Sequence, residues 1–155
     1  MHVHRYERWW MTFGFSMLVL FLCIIFFAAF ADNMNPPSGL QQIDPTRVAQ
    51  TPPFDHPGLR RLSDGKYEVY YVAQIFSFNP QTVTIPAGST VTFYATSPDV
   101  VHGFSIVDTD VNMMVIPGWV NAASHTFRRP GTYLLLCNEY CGIGHANMAA
   151  KIEVQ

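Results

Sequence analysis

The chain of 155 residues contains one apolar segment that restricts its architecture more than any other feature. Residues 11–31 read MTFGFSMLVLFLCIIFFAAFA and contain no charged side chain, and Trp9 and Trp10 precede them. A run of this length can cross a membrane hydrocarbon core of about 30 Å. Residues 1–31 are therefore predicted to form an N-terminus and a single transmembrane anchor.

The charges around this segment predict its orientation. Arg5 and Arg8 precede it, whereas no Lys or Arg follows it before Arg47. The positive-inside rule then places the N-terminus in the cytoplasm and the rest of the chain outside, attached to membrane lipid. The alternative is a signal peptide cleaved after residues 29–31, which read AFA. The apolar part of a signal peptide is usually about 7–15 residues long, so the retained anchor is favoured.

The portion after the anchor is mildly acidic. Residues 32–155 contain 7 Lys and Arg residues and 10 Asp and Glu residues. Nucleic acid binding depends on basic surfaces that neutralise phosphates. The balance of charge therefore predicts no nucleic acid partner.

Two segments of different composition follow the anchor. Residues 32–64 are rich in proline and show little periodicity, which predicts a linker. Residues 65–155 consist of short β-rich runs separated by Gly, Pro, Asn and Asp. In residues 82–85 and 90–93 polar and apolar side chains alternate, as in half-buried strands. The pattern predicts an all-β domain, a small antiparallel sandwich or Greek-key barrel.

Metal-binding side chains are concentrated near the end of the chain. Residues 137–148 read CNEYCGIGHANM and contain Cys137, Cys141, His145 and Met148, although the chain has only three cysteines. A further candidate, His102, lies in the stretch SPDVVHGFSI. Together these residues offer two thiols, two imidazoles and one thioether.

Three kinds of site could use such residues. A disulfide would close a loop too short for much stabilisation and would leave His145 and Met148 unexplained. Zinc could take two cysteines and two histidines, but it has no need of a thioether. Copper accepts thiolate, thioether and imidazole ligands, and one cysteine would suffice for a mononuclear blue site. Two thiolates on one loop could instead bridge two copper ions.

The motif C-x₃-C-x₃-H-x₂-M, preceded by the histidine of SPDVVHGF, resembles the CuA domain of subunit II of haem-copper cytochrome c oxidases. The resemblance covers residues 67–155, and the single anchor with a proline-rich linker is similar to the B-type group of these oxidases. Nitrous oxide reductase also has a CuA domain, but there it is joined to a large catalytic module. Residues 65–155 are accordingly expected to be a cupredoxin-like CuA domain.

The resemblance implies a site with two copper ions. By position, Cys137 and Cys141 would bridge the coppers, and Met148 would be a weak ligand. His102 and His145 would bind one copper each. The remaining weak ligand would be the backbone carbonyl of Glu139, so its side chain need not touch metal.

The resemblance also implies a function. The chain would accept electrons from cytochrome c and pass them to haem in subunit I, where oxygen is reduced and protons are translocated. The chain alone is not expected to reduce oxygen. The alternatives are a stand-alone membrane-anchored cupredoxin that carries electrons and a copper-delivery protein.

Two further sets of residues are weaker candidates. Electron entry needs an apolar surface near the metal, for which the candidates are Phe76, Phe78, Trp119, Ile143 and Ala146; core packing is the alternative for both phenylalanines. Asp99, Asp108 and Asp110 could attract a basic donor or simply form a solvated rim. Glu7, at the predicted cytoplasmic end of the anchor, resembles the glutamate that serves proton entry in B-type oxidases, or it is a solvated charge at a helix end.

Overall fold

The computed structural model describes residues 4–31 and 38–155, with the side chains of residues 38–40 left out. The described residues fall into two compact units, a helix and a β domain. Helix α1, Arg5–Ala31, contains no buried residue and is strongly apolar. The predicted N-terminal apolar helix is thus confirmed, and it is long enough to cross a bilayer.

The β domain contains eleven strands in the described residues. They are β1 (Ser38–Gln42), β2 (Gly58–Ser63), β3 (Lys66–Gln74), β4 (Ser77–Asn79), β5 (Thr82–Ile85), β6 (Thr90–Thr96), β7 (His102–Ile106), β8 (Asn112–Val115), β9 (Trp119–Thr126), β10 (Gly131–Leu136) and β11 (Ala149–Val154). Two short 3-10 helices, Pro45–Gln50 and His145–Asn147, interrupt the connections.

The strands form two sheets. The first has the order β1-β9-β6-β3-β2, with β4 also paired to β3, and the second has the order β5-β11-β10-β7-β8. Two pairs, β3 with β6 and β5 with β11, are parallel, whereas the sequence predicted antiparallel pairing throughout. The chain leaves the first sheet after β4, adds β5 to the second sheet and returns as β6, so β3 and β6 run in the same direction.

The main core lies between the sheets. The alternation predicted for β5 and β6 is confirmed, because Val83, Ile85, Val91 and Phe93 are buried while the threonines between them are more exposed. Aromatic side chains fill the centre, where the Phe104 ring lies 5.2–5.9 Å from the rings of Tyr71, Phe78 and Phe93. Burial of such large apolar groups stabilises the sandwich that carries β7 and β10.

Residues 38–63 differ from the linker predicted for residues 32–64. Strands β1 and β2 are the edge strands of the first sheet. Between them, Val48 and Phe54 are buried against Val72 and Val120 on the outer face of that sheet. The buried side chains of Val48 and Phe54 attach this proline-rich segment to the sheet, although its composition suggested a linker. Residues 32–37, the rest of the predicted linker, lie outside the described residues.

Replacing Phe54 by alanine should lower the free energy of unfolding of the β domain by ~3 kcal/mol, because it leaves a cavity under the segment. Chemical denaturation of the detergent-solubilised chain measures this loss. Leu62→Ala removes an exposed side chain from the same segment and should change stability by less than about 0.5 kcal/mol. Equal stabilities for the two variants would show that the segment does not stabilise the domain.

Candidate metal centre

The candidate site is formed where β7 begins and β10 ends. His102 is the first residue of β7, and Cys137 follows the last residue of β10. These strands pair antiparallel, with Leu136 opposite Ser105. Residues after Cys137 therefore run back alongside His102 and Gly103, and the loop up to β11 lies over the same end of the second sheet.

The structure brings together the side chains that the sequence singled out. The two thiol sulfurs, Cys137 Sγ and Cys141 Sγ, are 3.8 Å apart. His102 Nδ1 lies 4.0 Å from the first sulfur, and His145 Nδ1 lies 3.6 Å from the second. Met148 Sδ is 3.7 Å from Cys141 Sγ, which places the thioether on the same side as His145.

The backbone of Glu139 also faces the cluster. Its carbonyl oxygen lies 3.2 Å from Cys137 Sγ and accepts a hydrogen bond from that thiol. The Glu139 residue as a whole is exposed. The arrangement fits the expectation that this residue acts through its backbone.

Most of these groups are shielded from solvent. His102 is fully buried, Cys137, Cys141 and Met148 are each at most 8% exposed, and His145 is half-buried. Burial, together with the hydrogen bond and the charge of Cys137, raises the pKa of the Cys141 thiol to about 11. A metal that binds this sulfur must therefore displace its proton.

Asp99, which the sequence predicted either to attract a basic donor or to form part of a solvated rim, contacts a candidate ligand. Asp99 Oδ1 lies 2.9 Å from His102 Nε2, so that nitrogen donates to the carboxylate and Nδ1 is left facing the sulfurs. Burial raises the pKa of Asp99, but hydrogen bonds from His102, from the Ile75 and Val100 N–H groups and from the Ser97 hydroxyl outweigh it and hold the pKa below its usual value. The sequence feature that could have indicated this contact is the spacing of Asp99, three residues before His102.

Gly103 lets β7 approach the loop closely. A methyl group at this position would overlap Asn138 Oδ1 and would lie 2.7 Å from the backbone nitrogens of both Asn138 and Glu139. Only a residue without a Cβ allows this approach. On the other side, the Asn138 amide donates to Asn112 Oδ1 on β8 over 3.0 Å, which ties the loop to the sheet.

The donor set can be compared with the three kinds of site. The sulfur–sulfur distance of 3.8 Å is far beyond the disulfide bond length of about 2.05 Å, and both cysteines are free. His102, Cys137 and Cys141 offer donor atoms that all lie within 4.8 Å of one another, which suits a metal. A buried thioether beside two thiols and two imidazoles is a soft set, and soft sets fit copper better than zinc.

The candidate docking residues lie in different environments. Phe78 is only 1% exposed and belongs to the core, so its assignment to the docking surface was wrong. Residues 137–148, which contain four of the candidate ligand side chains, form the ligand loop. Phe76 is half-buried against this loop, and Trp119 is 39% exposed at the start of β9. Ile143 is 97% exposed on the loop itself, and Ala146 is also exposed.

The remaining candidates are charged. Glu7 is exposed in the first turn of α1, and its role in proton entry remains a prediction. Asp108 and Asp110 lie in the turn between β7 and β8. Asp110 accepts a hydrogen bond from His125, whereas Asp108 is exposed.

A model of the family described as "Cytochrome C oxidase subunit II, periplasmic domain" matches residues 67–155. A cytochrome c oxidase subunit 2 of Thermus thermophilus is 38% identical over 154 residues, which cover 97% of this chain and 92% of that protein. A second one from Thermus thermophilus is 41% identical over 122 residues and covers 77% of this chain and 90% of the relative.

Solved structures of oxidase subunits are also similar to this chain. A chain of a heme-copper terminal oxidase dimer, solved by cryo-EM, is 32% identical and has a TM-score of 0.80, with 97% of this chain and 100% of that chain covered. The periplasmic domain of subunit II of the cytochrome oxidase of Bradyrhizobium japonicum is 19% identical, with a TM-score of 0.53 over 57% of this chain and 83% of that one. This second likeness concerns the fold alone, and it confirms the predicted cupredoxin-like β-sandwich.

Proposed function

Because the chain belongs to the family of cytochrome c oxidase subunit II, we propose that it is the electron-entry subunit of a haem-copper oxidase. As a subunit of this family it is part of an oxidoreductase complex with other oxidase subunits, and its apolar helix anchors it in a membrane. In the proposed function it accepts electrons from cytochrome c at a binuclear copper centre and passes them to haem in subunit I. Oxygen reduction and the coupled proton translocation then belong to the complex, not to this chain alone.

The observation that carries the proposal is the largely buried cluster of two thiols, two imidazoles and one thioether. Cys137 and Cys141 would hold both copper ions, since their sulfurs lie 3.8 Å apart and each has an imidazole within 4.0 Å. His102 would be a ligand of one copper, and His145 with Met148 would be ligands of the other. The Glu139 carbonyl, beside Cys137, is the remaining weak ligand.

Strand pairing and a backbone hydrogen bond tie several of these donors to the second sheet. When bound, two copper ions held by these residues would supply a one-electron redox couple. Cys137 and His102 are carried by paired strands of the second sheet, and the Met148 carbonyl accepts from the Cys137 N–H over 3.2 Å. A rigid ligand set of this kind suits electron transfer, since little structural change need accompany it.

The surface next to His145 is the proposed place of electron entry. Ile143 and Ala146 are exposed on the ligand loop, and Ile143 is almost fully accessible to a partner. An apolar contact surrounded by modest charge lets a partner dock close to the ligands while charged residues steer its approach. Phe76 and Trp119 are proposed as further parts of this surface.

The anchor is proposed to hold the N-terminus in the cytoplasm and the β domain on the outer or periplasmic side, following the positions of Arg5 and Arg8. Glu7, at the cytoplasmic end of the helix, is then proposed to serve proton entry into subunit I.

Purification from membranes tests this function against its alternatives. A subunit of an oxidase should co-purify with a large haem-bearing membrane protein, and the complex should oxidise reduced cytochrome c. A chain that purifies alone with firmly bound copper would instead be a stand-alone electron carrier. Rapid exchange of its copper with a chelator would indicate a copper-delivery protein.

Replacing Met148 by leucine should leave the copper content unchanged and raise the reduction potential of the centre. Leucine removes a weak sulfur donor and keeps an apolar side chain of similar size, and weak ligands tune copper potentials. A redox titration followed by absorption measures the shift. Met114→Leu is the matched control, since Met114 is half exposed on β8, and it should leave the potential as it is. Identical potentials in both variants would remove Met148 from the ligand set.

A further inference from the structure

The Asp99 carboxylate connects two parts of the molecule that are far apart in sequence. Its Oδ1 atom faces His102 Nε2 at 2.9 Å. Its Oδ2 atom accepts the backbone N–H of Ile75 over 2.7 Å, from a residue 24 positions earlier. The Val100 N–H, at 2.6 Å, and the Ser97 hydroxyl, at 3.0 Å, also donate to Oδ1. Hydrogen bonds to an ionised carboxylate are stronger than those between neutral groups.

Ile75 belongs to a two-residue turn that covers the ligand loop. Strand β3 ends at Gln74 and β4 begins at Ser77, so Ile75 and Phe76 form the whole connection. The Phe76 ring lies against two glycines of the loop. A methyl group at Gly144 would overlap this ring, and one at Gly142 would lie 2.9 Å from Phe76 Cε1. The ring thus occupies the space that side chains at these two positions would need.

His102 and Phe76 therefore contact the site from different directions. His102 offers a buried imidazole to the sulfurs from β7, and Phe76 closes the loop that carries Cys141 and His145. Asp99 is the one described residue whose side chain hydrogen-bonds both to His102 and to the turn that carries Phe76. About a quarter of the Asp99 side chain is exposed, so the link lies just beneath the surface.

We propose that Asp99 is a positioning residue that holds the His102 imidazole and the β3–β4 turn together, so that Phe76 stays closed over the loop of Cys141 and His145. This inference rests on the proposed copper centre. It differs from a steering role for Asp99, because steering needs only its charge, whereas positioning needs its two acceptor atoms.

The rate of copper loss to a chelator tests the inference in the copper-loaded, detergent-solubilised full chain. Residues that orient metal ligands typically contribute about 10–100-fold to metal affinity. Asp99→Ala should therefore lose copper ~10-fold faster or more. Asp99→Asn keeps one acceptor oxygen and should fall between this variant and the wild type. Phe76→Ala should also speed the loss, because it uncovers Gly142 and Gly144.

Two variants serve as matched controls. Asp108→Asn removes the same charge from an exposed turn, and asparagine tolerates the positive φ of 62° at this position. Ile75→Ala removes an exposed side chain from the β3–β4 turn but keeps the N–H that donates to Asp99. Both should lose copper at the wild-type rate.

Hydrogen exchange of the metal-free chain supplies a second readout that does not involve copper. In Asp99→Ala the Ile75 amide and the amides of residues 141–145 should exchange faster than in the wild type, and in Asp108→Asn they should not. Wild-type chain that binds no copper would contradict the proposed function, while this exchange experiment would still test the link. The inference would be overturned if the wild type binds copper and the variants behave like it. In that outcome Asp99→Asn and Phe76→Ala lose copper at the wild-type rate, and the amides of Asp99→Ala exchange at the wild-type rate.

Discussion

Replacing Cys137 by serine abolishes the absorption of a mixed-valence copper pair, if the two sulfurs bridge the metals as proposed. The Cys137 sulfur lies 3.8 Å from Cys141 Sγ and 4.0 Å from His102 Nδ1. A serine hydroxyl in this place is a hard donor that does not readily deprotonate, and soft thiolates are what copper sites of this kind require. We expect complete loss of the binuclear spectrum, measured by absorption after copper addition to the purified chain.

Cys23→Ser is the control for this experiment. It makes the same sulfur-to-oxygen change at an exposed position within α1, in the unit separate from the β domain. Its spectrum should equal that of the wild type. An unchanged spectrum in the Cys137 variant would rule out the bridging assignment.

Gly103→Ala should lower the stability of the β domain and also weaken copper binding. The new methyl group would meet the side-chain oxygen of Asn138, which can move, and the backbone nitrogens of Asn138 and Glu139 at 2.7 Å, which can move only with the loop. Overpacking of this kind typically costs about 1–3 kcal/mol of stability. Because the loop carries the Glu139 carbonyl and follows Cys137 directly, we also expect weaker copper binding.

Copper titration and chemical denaturation of the same preparation measure both effects. The same substitution at Gly14 adds a methyl group that meets no atom within 4 Å apart from its chain neighbours and the backbone of its own helix, and it should leave copper binding unchanged. Wild-type copper affinity in Gly103→Ala would show that the close approach of β7 to the loop does not matter for the site.

Much of the candidate site could be predicted because it is local in sequence. Cys137, Cys141, His145 and Met148 lie within twelve positions, so their spacing alone restricts where their donor atoms can meet. The alternation in β5 is equally local, and it correctly indicated which face is buried. Patterns of this kind depend on strand geometry and loop length, which a single sequence contains.

The supporting contacts could not be predicted in the same way. The Asp99 carboxylate meets the Ile75 N–H only because the sandwich brings the β3–β4 turn next to the loop before β7. Phe76 and Phe78 were both candidates for the docking surface with core packing as the alternative, but the turn at Phe76 separates them. One ring covers the ligand loop, and the other is buried in the core. Such pairings depend on topology and register, which short-range patterns do not determine.

The segment between the anchor and β3 shows a related limit. Its proline content suggested a linker, yet Val48 and Phe54 are each only 2% exposed. Their burial depends on a sheet face formed by Val72 and Val120, residues that come later in the chain. The composition of the segment alone cannot reveal a sheet surface against which it packs, because strands later in the chain form that surface.

The copper content and the EPR spectrum of the purified full-length chain test the central claim most directly. The proposed centre predicts two copper ions per chain and a single unpaired electron delocalised over both. One copper ion per chain with the signal of an ordinary mononuclear blue site would contradict it.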